Sequence, residues 1–261
     1  MKRGDKIRNQ KGQVTIFAII AILIIAVLFI IFYPQLKKLV IPPAPEEMIP
    51  RECFEKAVKE AINITMNHGG RVNPLLYFKY NSEPIAYVCY TSEWYKTCTM
   101  QIPMIKQSVE AESQVYSQKK IDACFSEMED NFRNKGYVIT LTGSKKPVIS
   151  LEPKKVVIRF NISAAVNKNE LTQTFESNKF SIIYNSNVYD IIMIASSIQN
   201  FEARYGDTII DNYMAYYPNI KVEKMRQSDG TKVYVLTDRD TKEKLQFAIR
   251  SLSWPPGWAA P

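Results

Sequence analysis

Histidine is almost missing from this sequence: His68 is the only one in 261 residues. Glycine is scarce, with nine residues, and no G-x-S-x-G elbow, P-loop or dinucleotide-binding fingerprint occurs. The hydrolase, NTPase and dehydrogenase classes are thereby left without their usual signatures. Among the four cysteines, Cys53, Cys89, Cys98 and Cys124, no C-x-x-C pair exists, which removes the common zinc spacing. The carboxylate clusters do not replace what is missing. Glu110 with Glu112, and Glu127 with Glu129 and Asp130, fall in helical patterns where a run of charge is a solvated face. The sequence therefore predicts no catalytic residue, metal site or cofactor.

A basic stripe is absent too, despite a net charge of +8. Lys2, Arg3, Lys6, Arg8 and Lys11 are offset only by Asp5 in the first thirteen residues, and Lys37 and Lys38 follow closely. The remainder of the chain is nearly neutral, so nucleic acid is not an expected partner. The excess charge instead flanks Val14 to Tyr33, twenty residues without one charge. At 1.5 Å per residue such a helix spans about 30 Å, the hydrocarbon thickness of a bilayer. A transmembrane helix over 14–33 is expected, with the basic tail 1–13 in the cytoplasm and the rest outside the cell. The apolar run ends Phe32-Tyr33-Pro34, without the small-residue cleavage site of a secretory signal. Membrane lipid is thus the first expected partner.

Beyond the anchor, the prolines of residues 34–50 predict an extended, semi-rigid stalk. The outer region reads as α+β, with amphipathic helices and antiparallel strands, divided into a helical, cysteine-bearing part at 51–136 and a strand-rich part at 137–261. From Cys53, the residues Phe54, Ala57, Val58, Ala61, Ile62 and Thr65 share one face of a helix that Gly69-Gly70 ends. Short strands around a loop are expected over 77–99. Two helices follow, one over about 104–116 and one carrying Ile121, Cys124, Phe125, Met128 and Phe132 up to Gly136. Val156, Ile158, Phe160 and Ile162 alternate with Val157, Arg159, Asn161 and Ser163 as in a strand with one buried face. Another strand near 180–184, a helix over 188–203 and a three-stranded meander over 220–249, turning at Asp229-Gly230, complete the pattern.

An even number of cysteines on the outer side predicts two disulfides. Cys53 and Cys124 lie on apolar helix faces that packing would bring together, and Cys89 and Cys98 close a short loop, so this pairing is favoured. The sequons at Asn63 and Asn161 are compatible with surface glycans, both asparagines lying on polar sides of their elements. Tyr87, Tyr90, Trp94 and Tyr95 surround the short loop. They form the best local candidate for binding, although aromatic pairing inside a hairpin explains the same composition.

The junction Lys11-Gly12-Gln13 before an unbroken apolar helix resembles the class III signal of archaeal type IV pilin-like proteins. That resemblance implies cleavage between Gly12 and Gln13 by a membrane peptidase, with the helix left as an assembly element. It covers about twenty residues. Where such pilins commonly carry a glutamate at the fifth mature position, this chain has Phe17. The order of a cysteine-bearing helix ending in Gly-Gly, a second cysteine-bearing helix and then strands is similar to membrane proteins of an uncharacterised archaeal family. It implies a surface protein whose partners are copies of itself or other surface proteins. The leading expectation is a membrane-anchored structural or interaction protein, a pilin-like subunit or minor component of a surface assembly. An anchored extracellular binding module is the alternative, and an ectoenzyme comes third.

Overall fold

The computed structural model describes residues 19–31, 49–168, 171–175 and 180–253. The chain divides into two units, Met1–Ile49 and Pro50–Pro261. In the first unit residues 19–31 form helix α1, and every one of them is exposed. These thirteen residues amount to about 20 Å of helix. Among the described residues no helix is long and apolar enough to cross a membrane. Of the expected span 14–33, residues 14–18 and 32–33 lie outside the described residues, as do the tail 1–13 with its Gly12-Gln13 junction and the stalk up to residue 48.

The second unit is a mixture of helices and strands. Helix α2 (Arg51–Asn67) starts after Pro50 and buries the predicted stripe Phe54, Ala57, Val58, Ala61, Ile62 and Thr65, adding Met66. It stops where Gly69 and Gly70 take positive φ, with Gly70 N–H donating to Thr65 O at 2.8 Å. A Cβ on Gly69 would also lie 3.1 Å from the backbone nitrogen of Ala86, so glycine is needed twice over.

The two helices expected between 104 and 136 are one, α3 (Ile105–Asn134). No proline or glycine interrupts it, and its buried stripe runs Ile105, Val109, Ser113, Ser117, Ile121, Phe125, Met128, Phe132. The apparent break is the pair of serines. Ser113 donates to Thr65 on α2 at 3.3 Å, so small hydroxyls fill the stripe where the two helices face each other. Further on, Cys53 and Cys124 bond covalently, as the sequence favoured. Beside them Phe54, Phe125, Phe160 and Phe180 pack with ring centroids 5.0 to 5.9 Å apart.

Among the described residues ten strands make two sheets. One runs β1 (Tyr77–Tyr80), β2 (Glu83–Tyr90), β10 (Lys244–Arg250), β9 (Thr231–Asp238), β8 (Ile220–Arg226), with β3 (Thr99–Met100) also on β2. The other is built on β5 (Lys155–Lys168), flanked by β4 (Val138–Glu152) on one side and by β6 (Leu171–Phe175) and β7 (Ser181–Asn185) on the other. One expectation is corrected here. β10 lies parallel to β2, a pairing that the long intervening chain permits, so the strands are not all antiparallel. That same pairing joins 51–136 to 137–261 in one sheet, within the unit Pro50–Pro261.

The outer edge of β4 is closed by α3. Leu151 N–H donates to Glu110 Oε1 at 2.7 Å, and Gln114 Nε2 to Ile149 O at 3.4 Å. Glu112 likewise accepts from Val72 N–H at 3.0 Å and from Arg71. These two glutamates, expected on a solvated face, are part-buried staples for neighbouring backbone.

Candidate binding surface

Helix α4 (Val188–Tyr205) lays Ile191, Ile194, Ala195, Ile198, Gln199 and Glu202 on the six-stranded sheet. Gln199 Nε2 donates to Val88 O and Ile102 O at 2.8 and 2.9 Å, which satisfies a buried amide and pins the helix over β2. At its C-terminal end the stripe position is a carboxylate. Glu202 is fully buried and accepts from Lys232 Nζ and Tyr234 OH on β9 and from Thr208 N–H. Lys232 also donates to Gly206 O and to Asp207, whose carboxylate takes Lys224 Nζ at 3.0 Å and Arg226 as well. Burial pushes the Glu202 carboxyl up, against the pull of Lys232 and Tyr234. For Asp207, burial acts upward too, but Lys232, Lys224 and Arg226 outweigh it and hold the carboxyl low. Burial, with the neighbouring Glu202, keeps the Tyr234 phenol protonated.

This network is saturated with internal partners, which suits a clamp more than a catalytic centre. Its effect is to fix the turn at Gly206, where φ is +82° and an added Cβ would sit 2.1 Å from Ser253 Oγ. That turn launches helix α5 (Asp211–Tyr216), a six-residue element that the periodicity of the sequence does not announce.

α5 and the outer face of α4 carry an aromatic surface. Tyr216 is 82% exposed and Tyr217 51%, and Met193, Phe201, Tyr205 and Ile209 are exposed as well. Two hollows lie there. One, of about 500 Å³, is lined by Tyr189, Met193, Ser197 and Tyr213 with Asn219 and the Lys154–Asp190 ion pair. The second, of about 440 Å³, is lined by Phe201, Ile209 and Asn212. Tyr213, Tyr216 and Tyr217 line both. Volumes of this size are usual for small-ligand sites. A larger cleft of about 1010 Å³ beside α2 has charged side chains for half of its lining. Several are already paired, such as Lys59 with Glu55 at 2.6 Å and Lys120 with Glu60.

The residues singled out from the sequence are scattered. Cys89 bonds Cys98, closing the loop as favoured. Tyr87, placed on the inward side of β2, is buried among Ile85, Val233, Val235 and Ala248, and its hydroxyl meets Thr231 Oγ1 at 2.8 Å. Tyr90 packs edge-on against it, under the Arg250 guanidinium. These two tyrosines serve the core: alternation alone would put positions 87 and 90 on opposite faces, but the register shift at Val88, where β2 meets β10, brings them to one side, whereas Trp94 and Tyr95 on the loop are 49% and 70% exposed. Asn63 and Asn161 are both exposed. His68 bridges Val72 O at 2.7 Å and Glu83 at 3.2 Å, a structural post between α2 and β2. Among the described residues no group of three or more histidine, cysteine or acidic side chains is placed to hold a metal ion. No family model matches the chain, and neither a curated protein nor a solved structure matches it.

Proposed function

We propose that this chain is a membrane-anchored cell-surface structural or interaction protein, held by residues 14–33 and exposing residues 50–261 outside the cell. The observation that carries the reading is the pair of disulfides, Cys53–Cys124 and Cys89–Cys98, in the unit that follows the apolar run. Such bonds persist in oxidising compartments, so the unit belongs outside the cytoplasm. Helix α1 supports the same placement. Its isoleucines, leucines and phenylalanine are exposed on all sides, and lipid or neighbouring apolar helices are the surroundings in which that surface is stable. The finer form of the proposal is a pilin-like subunit or minor component of an archaeal surface assembly, released for assembly by cleavage between Gly12 and Gln13.

Protease treatment of intact cells and a non-reducing peptide map test the topology together. Digestion of the outer unit with the tail protected, and both disulfides present, is the expected result. Free thiols at all four positions would refute it. N-terminal sequencing separates the finer forms: a start at Gln13 marks the pilin-like route, and a start at Met1 or Lys2 a permanent anchor.

The tyrosine surface favours a second reading, an anchored binding module. It differs from the sequence-level candidate in place, lying on α4 and α5 and not around the Cys89–Cys98 loop.

A further inference from the structure

The two hollows that share Tyr213, Tyr216 and Tyr217 make one elongated track, and its lining specifies a chemistry. In the first hollow, Asp190 is neutralised by Lys154 at 2.6 Å, and Asp238 accepts from Asn187 Nδ2 at 2.9 Å and from the backbone N–H groups of Asp240 and Thr241. The second hollow is lined by no charged residue. The charge left in the track is the Asp238 carboxylate, which repels an anion and whose oxygens are already taken by Asn187, Asp240 and Thr241, and this disfavours nucleic acid and charged peptides. The uncharged polar groups in the lining are phenols, the amides of Asn187, Asn212 and Asn219 and the hydroxyls of Ser197 and Thr208. Each of these both donates and accepts, matching a hydroxyl, which does the same. Tyrosine adds a rigid, flat apolar face that costs little entropy to fix, suited to the C–H face of a sugar ring.

We infer that this track binds a neutral polysaccharide, with sugar units seated in the two hollows on either side of the Tyr213, Tyr216, Tyr217 wall. An extended ligand with a repeating unit fits two adjoining hollows of about 500 and 440 Å³ better than a single small molecule, which would use only one. The inference rests on the outward placement proposed above, since the cell surface is where such a polymer is met. The fully buried Glu202 network gives the site its rigidity: it holds the turn from α4 to α5 in place without ligand.

The test uses the full-length chain in lipid nanodiscs, titrated calorimetrically with neutral gluco-, manno- and N-acetylglucosamine oligosaccharides of graded length and with neutral polysaccharide from the native envelope. Saturable binding that tightens with length, and that weakens roughly tenfold in Tyr216→Ala and Tyr217→Ala, is expected. Tyr95→Ala, on the separate exposed loop, should leave the affinity unchanged. Absence of saturable binding to every neutral sugar overturns the inference. It is overturned equally by preferential binding of anionic oligosaccharides, or by Tyr216→Ala abolishing self-association in sedimentation while no sugar binds. Because the titration is made on purified protein, its failure leaves the protease-mapped topology standing, and a reversed topology would not by itself abolish the binding.

Discussion

Helices α2 and α4 both lay an apolar stripe against the six-stranded sheet, but their backs are treated differently. Behind α2 stands the whole of α3, joined to it through Ser113, Thr65 and the Cys53–Cys124 bond, so the aromatic residues between them are absorbed into a core. α4 is covered less completely: α3 touches it, the short α5 packs on β8 and reaches it through the Ser197–Tyr213 hydroxyl contact at 2.9 Å, and Phe201, Tyr205, Tyr216 and Tyr217 are left exposed. One half spends its aromatic residues on stability. The other keeps them for something outside the chain, and that asymmetry, more than any motif, locates the candidate site.

The comparison is broken most severely on the α2–α3 side. Replacing Cys53 and Cys124 together with serine opens a loop of 71 residues' separation and should cost a little over 4 kcal/mol on the loop-entropy model, read as a fall in denaturant midpoint. An unchanged midpoint would mean that the packing alone holds the two helices.

On the α4 side, Lys232→Met leaves Glu202 buried without its cation, and a loss of about 3 kcal/mol or somewhat more is expected in the same measurement. Converting Glu202 to leucine in addition should recover much of it, since the apolar pair leaves no stranded charge.

Acid titrates this network and, apart from it, the hydrogen-bonded Asp238. The low-lying Asp207 and Asp238 carboxyls stabilise the fold above their unfolded values, and that contribution is lost as pH falls below about 4. Glu202, pushed up, has the opposite sign: it takes up its proton more readily in the folded chain, so its stability is greatest in acid and declines as pH rises. Asp207→Asn should therefore flatten the acid limb of a melting-temperature profile. A limb as steep as that of the parent would place the acid sensitivity elsewhere.

Gly206→Ala forces a side chain into left-handed backbone and against Ser253, and a loss of about 1 to 2 kcal/mol is expected from the backbone alone. Tyr216→Ala should be the mildest change, within about 0.5 kcal/mol in thermal unfolding, because its ring lies outside the core. A large destabilisation there would turn the tyrosine surface back into a packing element.

Much of this fold is legible in local pattern. The face of α2, the alternation of Val156, Ile158, Phe160 and Ile162 and the closing meander all appear where period and turn residues put them. So do both disulfides, because two cysteines on apolar helix faces must meet if those faces pack. What escapes the sequence is non-local. Ser113 and Ser117 look like a break in a stripe until α2 is brought alongside, and the parallel pairing of β10 with β2 joins segments more than 150 residues apart. The site was harder still. Glu202 does sit at a stripe position four residues after Ile198, and Lys232 among apolar strand neighbours, so a matched pair of misplaced charges was a usable signal. The tyrosines had no such mark. A six-residue helix has too few turns to show periodicity, and only its packing reveals that Tyr216 faces out while Tyr90 faces in.

The position of Cys53 has a mechanical consequence. It is the third residue of α2, just after the point where the second unit begins, and its partner lies two thirds of the way along α3. A pull transmitted along the N-terminal segment would ordinarily peel a terminal helix away from its first turn, one residue at a time. Here the load meets a covalent bond after a single turn and passes into the middle of the unit, leaving the rest of α2 unstressed. In a tension experiment the oxidised domain should yield only by disrupting α3 and the sheets together, whereas the reduced one should first lengthen by the contour of α2.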